Sequence, residues 1–237
     1  MPTLQLVHPT ADLERDKSGR ASWDFTLPES TAPSAWKLQL GTIGFDQGLL
    51  TLDDAASRVK LKLVVEPLQA AIPYDQIVAQ QSSAAREEAG KTLGAAAKKA
   101  LASGDAGPGP DKARSSIAYQ FGWTAEGSYQ GSPLKGHGKT GAVLALQDTT
   151  APFPLQADVR IGDSRIALVG TLTDPLHLGA LDVRLWLSGP SMAQLYPITG
   201  ITLPDTPPYA TEGHLKAELH RGGSHYSYQD FRGRVGG

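Results

Sequence analysis

The sequence predicts a mainly β fold: an antiparallel sheet, strongly curved or groove-forming, with one inserted helix. Three observations predict it. Apolar and polar residues alternate with period two in segment after segment, which puts every second side chain on one face of a strand. The 26 glycines and 17 prolines set turns close together, and frequent turns favour short antiparallel strands. One stretch alone, residues 74–103, lacks the alternation. A chain of 237 residues suits one large β domain.

The first 66 residues read as a strand ladder. Leu4 and Leu6 open it, and Asp16-Lys17-Ser18-Gly19 punctuates it. Trp23, Phe25 and Leu27 alternate, then Trp36, Leu38 and Leu40, before Asp46-Gln47-Gly48 turns the chain. Arg58 to Val65 places Val59, Leu61, Leu63 and Val65 on one face and Arg58, Lys60 and Lys62 on the other. Residues 1–73 therefore form the first part of the sheet. Residues 74–112 are a helical insertion with a linker, because Gln76 to Ala102 is dominated by the helix formers Ala, Gln, Glu and Lys. Ser83 is a candidate N-cap with Glu87 and Glu88 near the positive end, and Glu87 stands one turn from Lys91. The apolar stripe, Val78, Leu93 and several alanines, is thin, as in a surface helix; the sharper reading is a cap over the end of a groove. Gly104 to Pro110 reads as a flexible linker.

Residues 113–237 resume the sheet. From Ser115, the residues Ile117, Tyr119, Phe121 and Trp123 fall on one face. Further strands are expected at Ala142–Leu146, Leu155–Ile161, Ile166–Leu172, Leu181–Leu187 and Gly213–Leu219, with turns at Gly162-Asp163, Asp174-Pro175 and Gly222-Gly223. Each strand hides three or four large apolar side chains, a gross gain of roughly 5–10 kcal/mol. Ordering costs about 1–2 kcal/mol per residue, so no strand is stable alone. The apolar faces must meet a second sheet, the same sheet curled round, or an apolar ligand.

Charge and motifs exclude several functions. Lys+Arg 22 against Asp+Glu 24 leaves a net charge of −2, with no basic field to gather phosphates, so nucleic acid is not an expected partner. The absence of cysteine removes disulfides and thiolate chemistry. No apolar run reaches membrane-spanning length, and Met1 to Val7 lacks the features of a signal peptide. Gly131 to Thr140 contains a Gly-Lys-Thr, but Pro133 stands where a phosphate-binding loop needs glycine and no helix is expected to follow, so it reads as a loop with Lys135 and Lys139 solvated. His214 and His220 share a strand face with Lys216 and Glu218, which reads as solvent-exposed. No GxSxG elbow and no carboxylate pair stand out, so neither catalytic residues, metal nor cofactor is expected. Trp23, Trp36 and Trp123 read as core anchors. Trp186 falls on a polar face with Asp182 and Arg184, placed to cover a neighbouring strand or touch a partner.

The stretch Ser128 to Leu215 contains "PFPLQADVRIGDSRIALVGTLTDP", "LDVRLWLSGPSMAQLYPITG" and "LPDTPPY" leading into "GHL", in that order. It resembles the AsmA family, and "AWKLQLGTIGFDQGLLTLDD" at 35–54 is similar to an earlier strand-turn-strand of the same family. The resemblance implies a periplasmic β-rich region of a protein anchored in the bacterial inner membrane and linked to outer-membrane assembly. It also implies kinship with bridge-like lipid-transfer proteins, whose curled sheet forms an apolar groove. The chain departs from the family pattern in lacking an N-terminal membrane helix, in carrying the Ala-rich helix and linker, and in stopping at "DFRGRVGG"; it is expected to be part of a longer protein. The expected ligand is a phospholipid or other acyl lipid, with other envelope proteins as further partners. Strand phase gives the groove candidates Ile117, Tyr119, Phe121, Val159, Ile161, Leu168, Val183, Leu185 and Leu187. The same residues would serve a closed, dry core equally well, and the alternative function is a structural or protein-binding envelope domain without ligand.

Overall fold

In the computed structural model, residues 3–23, 42–102, 117–175, 179–218 and 225–236 are described. The expected alternations at Phe25, Leu27, Trp36, Leu38 and Leu40, the linker 104–110 and the Gly222-Gly223 turn lie outside these residues, as do His177 and His220. The fold is mainly β. A ten-stranded sheet runs β12-β11-β10-β9-β8-β7-β6-β5-β4-β2. Its strands are β2 (Thr10–Arg15), β4 (Gly48–Asp54), β5 (Val59–Pro73), β6 (Ala118–Tyr129), β7 (Ser132–Thr140), β8 (Phe153–Ile161), β9 (Ser164–Thr173), β10 (Ala180–Gly189), β11 (Tyr209–Glu218) and β12 (His225–Val235). From β4 to β12 every neighbour is antiparallel.

The N-terminal strands depart from the expected ladder. β1 (Thr3–Leu6) pairs in parallel with β3 (Thr42–Phe45), and β2 pairs in parallel with β4. Asp46-Gln47 therefore does not fold β3 back onto β4; it moves the chain from the small sheet to the large one. The Asp46 carboxylate fixes this step by accepting from the amides of His8, at 3.0 Å, and Gln47, at 2.8 Å.

The helical insertion lies between adjacent strands, β5 and β6, so it leaves the sheet continuous. It forms two helices rather than one, α1 (Tyr74–Leu93) and α2 (Ala95–Ala102), broken at Gly94 with φ of 82°. A positive φ favours glycine, and the break lets α2 fold beside α1. The start is Tyr74 directly after Pro73, not Ser83, which sits exposed within α1. Glu87 bonds Lys98 of α2 rather than pairing within its own turn. Nor does the insertion ride free on the surface: Tyr74, Ile77, Ala85 and Ala89 are buried, packed on Tyr119, Ala167, Val169, Trp186 and Ala210 of the sheet. Small residues on both sides allow that close approach, which a thin apolar stripe does not advertise.

Two further expectations fail. Within Gly131 to Thr140, read as a loop, only Gly131 belongs to a turn: Gln130-Gly131 has φ of 49° and 87°, the conformation of a tight hairpin, and Ser132–Thr140 is strand β7. Ala142–Leu146 is not a strand: Val143–Gln147 is a 3₁₀ helix, closed by local bonds such as Ala145 N–H to the Ala142 carbonyl at 3.0 Å. Its apolar residues run without alternation, and the Asp148 side chain accepts from the amides of Thr150 and Ala151 to turn the chain into β8.

Candidate functional site

Residues directly opposite in paired strands point to the same side of a sheet. Val183 faces Gly170 and Leu215, Leu185 faces Leu168 and Gly213, and Leu187 faces Ile166. Ile166 in turn faces Val159, and Leu168 faces Ala157. The series continues through Gly136 and Gly138 of β7, Ala125 and Trp123 of β6, Leu63 and Val65 of β5, and Leu50 of β4. From β4 to β11 one face of the sheet is thus lined mainly by apolar residues, with the Arg15–Asp54 ion pair at its β2–β4 end.

The helices pack on the other face. Ala167, Val169 and Trp186, which touch α1, alternate with Ile166, Leu168, Leu185 and Leu187 along β9 and β10. The helix side also holds most of the charged groups of β8 to β11. Arg165 donates to Asp158 through Nε at 2.8 Å and Nη2 at 2.5 Å, Gln81 of α1 donates to Asp158 at 3.1 Å, and Gln156 donates to Gln81 at 2.9 Å. Glu212 pairs with both Arg184 and Arg232, and His214 contacts Asp182 at 2.5 Å. His214 is therefore a half-buried, paired histidine, not a solvent-exposed one. Trp186 is only 3% exposed; it packs under α1, with the Arg184 guanidinium 5.5 Å from its ring centre.

Over β8 to β11 burial follows the cover of the helices more than polarity. On the helix side Gln156, Arg165, Ala167, Val169, Thr171, Trp186 and Glu212 are all buried. On the apolar side Leu155, Val159, Ile161, Ile166, Leu168, Leu172, Leu181, Leu185, Leu187 and Leu215 each keep partial exposure.

The nine groove candidates divide accordingly. Val159, Ile161, Leu168, Leu185 and Leu187 lie partly exposed on the apolar face, and Val183 lies there buried. Phe121 is stacked on Phe45 of β3, ring centres 5.0 Å apart. Ile117 and Tyr119 instead belong to the core under α1, where Tyr119 stacks on Tyr74. The alternation along β6 misleads there because β5 advances from Pro67 to Ile72 while β6 retreats only from Phe121 to Tyr119; this bulge re-aims the side chains. Trp123 is half-buried, as expected of an anchor, whereas Trp23 is 40% exposed and is not one. Trp36 lies outside the described residues.

Strand phase missed the glycines. A Cβ on Gly138 would meet the Trp123 ring at 2.4 Å, on Gly136 the Val159 side chain at 2.8 Å, on Gly170 that of Val183 at 2.6 Å and on Gly213 the Tyr228 ring at 2.4 Å. On β7, β9 and β11, each glycine on the apolar face is overlaid by a larger neighbour.

Among the described residues no three His, Asp or Glu side chains gather to hold a metal, and no helix is long and apolar enough to cross a membrane. The chain matches the sequence model of the AsmA family over residues 1–229. It belongs to the AsmA family. It is 35% identical over 243 residues to the AsmA family protein YhjG of Escherichia coli (strain K12), an alignment covering 100% of the chain and 32% of YhjG. The chain thus spans about a third of the length of the curated relative it matches. No solved structure matches. AsmA membership associates the chain with the bacterial envelope, as its β-strand motifs implied.

Proposed function

We propose that this chain is a non-catalytic AsmA-family module of outer-membrane assembly, acting in the periplasm within a protein anchored in the inner membrane. Its apolar sheet face curls into a groove that shields phospholipid acyl chains. The observation that carries this reading is the burial over β8 to β10: leucines, isoleucines and valines of these consecutive strands keep partial exposure on one face, while Gln156, Arg165, Val169 and Trp186 are buried on the face where α1 packs. Water contact on that much apolar surface is unfavourable, and covering it contributes about 0.8 kcal/mol per methylene buried. Six methylenes give about 5 kcal/mol gross, before the ordering costs of binding. Such contacts are non-directional, so no special side chain is needed. Glycines on the same face support the curl, because they let a strand bend and a neighbour lie close.

Leu185→Asp tests this. It puts a carboxylate on the apolar face at a partly exposed position, where it stays hydrated and repels an acyl chain. A fluorescent fatty-acyl probe is expected to bind the wild-type chain saturably and the variant at least about tenfold more weakly, a loss of roughly 1.4 kcal/mol, with the melting midpoint nearly unchanged. A wild-type chain that binds no probe would instead favour a structural or protein-binding module.

A further inference from the structure

We propose that the connection between β10 and β11 docks on a phospholipid bilayer through its tip, Tyr196 to Ile201. The connection leaves β10 at Gly189, forms a 3₁₀ turn at Met192–Leu195 and the short helix α3 (Tyr196–Thr199), reverses at Gly200 with φ of 68°, and enters β11 at Tyr209. It is braced at both ends. The Ser191 hydroxyl donates to Asp205 at 2.6 Å and accepts from Thr206 N–H at 3.1 Å, and the Tyr129 hydroxyl of β6 donates to the Pro197 carbonyl at 2.9 Å. Tyr129 lies in register with Val59, on the apolar side of the sheet. The connection therefore reaches from β10 to β6 across the ends of β7, β8 and β9, at the rim of the apolar face.

What this rim segment presents is unusual for a water-facing connection. From Met192 to Pro204 no side chain is charged, in a chain that is 19% charged. Tyr196 is 54% and Ile201 59% exposed, held out by a braced backbone. A neutral tip pairing an aliphatic side chain with a tyrosine suits the interfacial zone of a bilayer, where apolar bodies sink and a phenol meets the head groups. A protein partner of ordinary chemistry would be matched by hydrogen-bonding and charged groups around the apolar centre, and the tip has no charge to offer. Docking needs nothing from the acyl-chain reading, although a tip at the rim of that face would bring lipid to it.

The test uses the whole chain and neutral phosphatidylcholine vesicles. The chain has no cysteine of its own, so a polarity-sensitive dye can be placed at Ile201→Cys and, as control, at the exposed Ser83→Cys of α1. Vesicles are expected to shift the dye's emission to the blue at position 201 and not at 83. A Tyr196→Ser/Ile201→Asp double variant is expected to bind vesicles at least tenfold more weakly in flotation, with its melting midpoint unchanged because both side chains are exposed. Vesicle binding should survive Leu185→Asp, even where acyl-probe binding is lost. The proposal is overturned if the wild-type chain ignores the vesicles, if the double variant floats as well as wild type, or if Leu185→Asp alone abolishes flotation. None of these outcomes bears on the acyl-probe test of the sheet face; the last would assign the vesicle contact to that face instead of the tip.

Discussion

An Asp158→Ala chain is expected to lose about 3 kcal/mol of folding stability, read as a lowered urea midpoint at unchanged slope. Asp158 and Arg165 keep 12% and 10% of their side chains exposed, so removing the carboxylate leaves a guanidinium desolvated without its partner. Such a loss costs about 3–5 kcal/mol, and the small remaining exposure places this case at the lower end. Gln81 loses its acceptor as well, which loosens α1 from the sheet. Replacing Arg165 by Met in the same chain should recover most of the stability, because the unpaired charge is then gone. The pH dependence has a definite sign. Burial raises the Asp158 carboxyl, but the bonds from Arg165 and Gln81 outweigh it and hold the group below its ordinary 3.8. A carboxyl depressed on folding contributes stability that is present above the ordinary value and is lost as pH falls through the depressed one. Wild type should lose this contribution in that acid window, and the Ala variant, having no carboxyl, should not.

Gly170→Ala is expected to cost about 2–3 kcal/mol, and here the reason is space rather than charge. The new methyl would meet the Asp182 carbonyl oxygen at 2.1 Å and the Val183 Cα at 2.5 Å. Both belong to the backbone of β10, in mid-sheet, so neither can swing aside. Gly122→Ala is the matched control. Its methyl meets only the Leu68 Cδ2 at 3.4 Å and the Gly138 carbonyl at 3.9 Å. It should be neutral or stabilise by up to about 1 kcal/mol through the unfolded chain's lost freedom. Thermal melts of the two variants against wild type decide the matter.

How the chain alternates was readable from sequence alone; which face is covered was not. Leu181, Val183, Leu185 and Leu187 announce strand β10 and its apolar side, and the β8–β9 turn at Gly162-Asp163 stands where expected. Period two says which side chains travel together, but a helix face with few large apolar residues, Tyr74 and Ile77 beside Gln81, Ser82, Ala85 and Ala89, gives no hint of where it will land. His214 reads as solvent-exposed for that reason, since it keeps company in sequence with charged residues and its partner Asp182 comes from a neighbouring strand, whereas Trp186, read as covering a neighbouring strand or touching a partner, is buried under α1. Tyr119 was misplaced by a bulge on β5, a neighbouring strand whose own sequence shows no sign of it beyond Pro67. The edge strand β12 went unread because Tyr226, Tyr228 and Phe231 stay exposed, and its alternation is broken where β11 slips register between Glu212 and His214. The apolar face was legible in part: strand phase places Val159, Leu168, Leu185 and Leu187 together on it, but does not reveal the glycines that lie between them.

The claim that the apolar face receives acyl chains is tested most directly by the two tryptophans that lie on opposite sides of the sheet. Trp123 is half-buried on the apolar face over Gly138, whereas Trp186 is buried beneath α1. In a chain with Trp23 and Trp36 replaced by Phe, a fatty acid brominated along its acyl chain should quench fluorescence saturably, because heavy atoms on the apolar face would come against the Trp123 ring. Adding Trp123→Phe should abolish the saturable component while Trp186 goes on emitting. No saturable quenching in the first chain, or the same quenching after Trp123 is removed, would contradict the account.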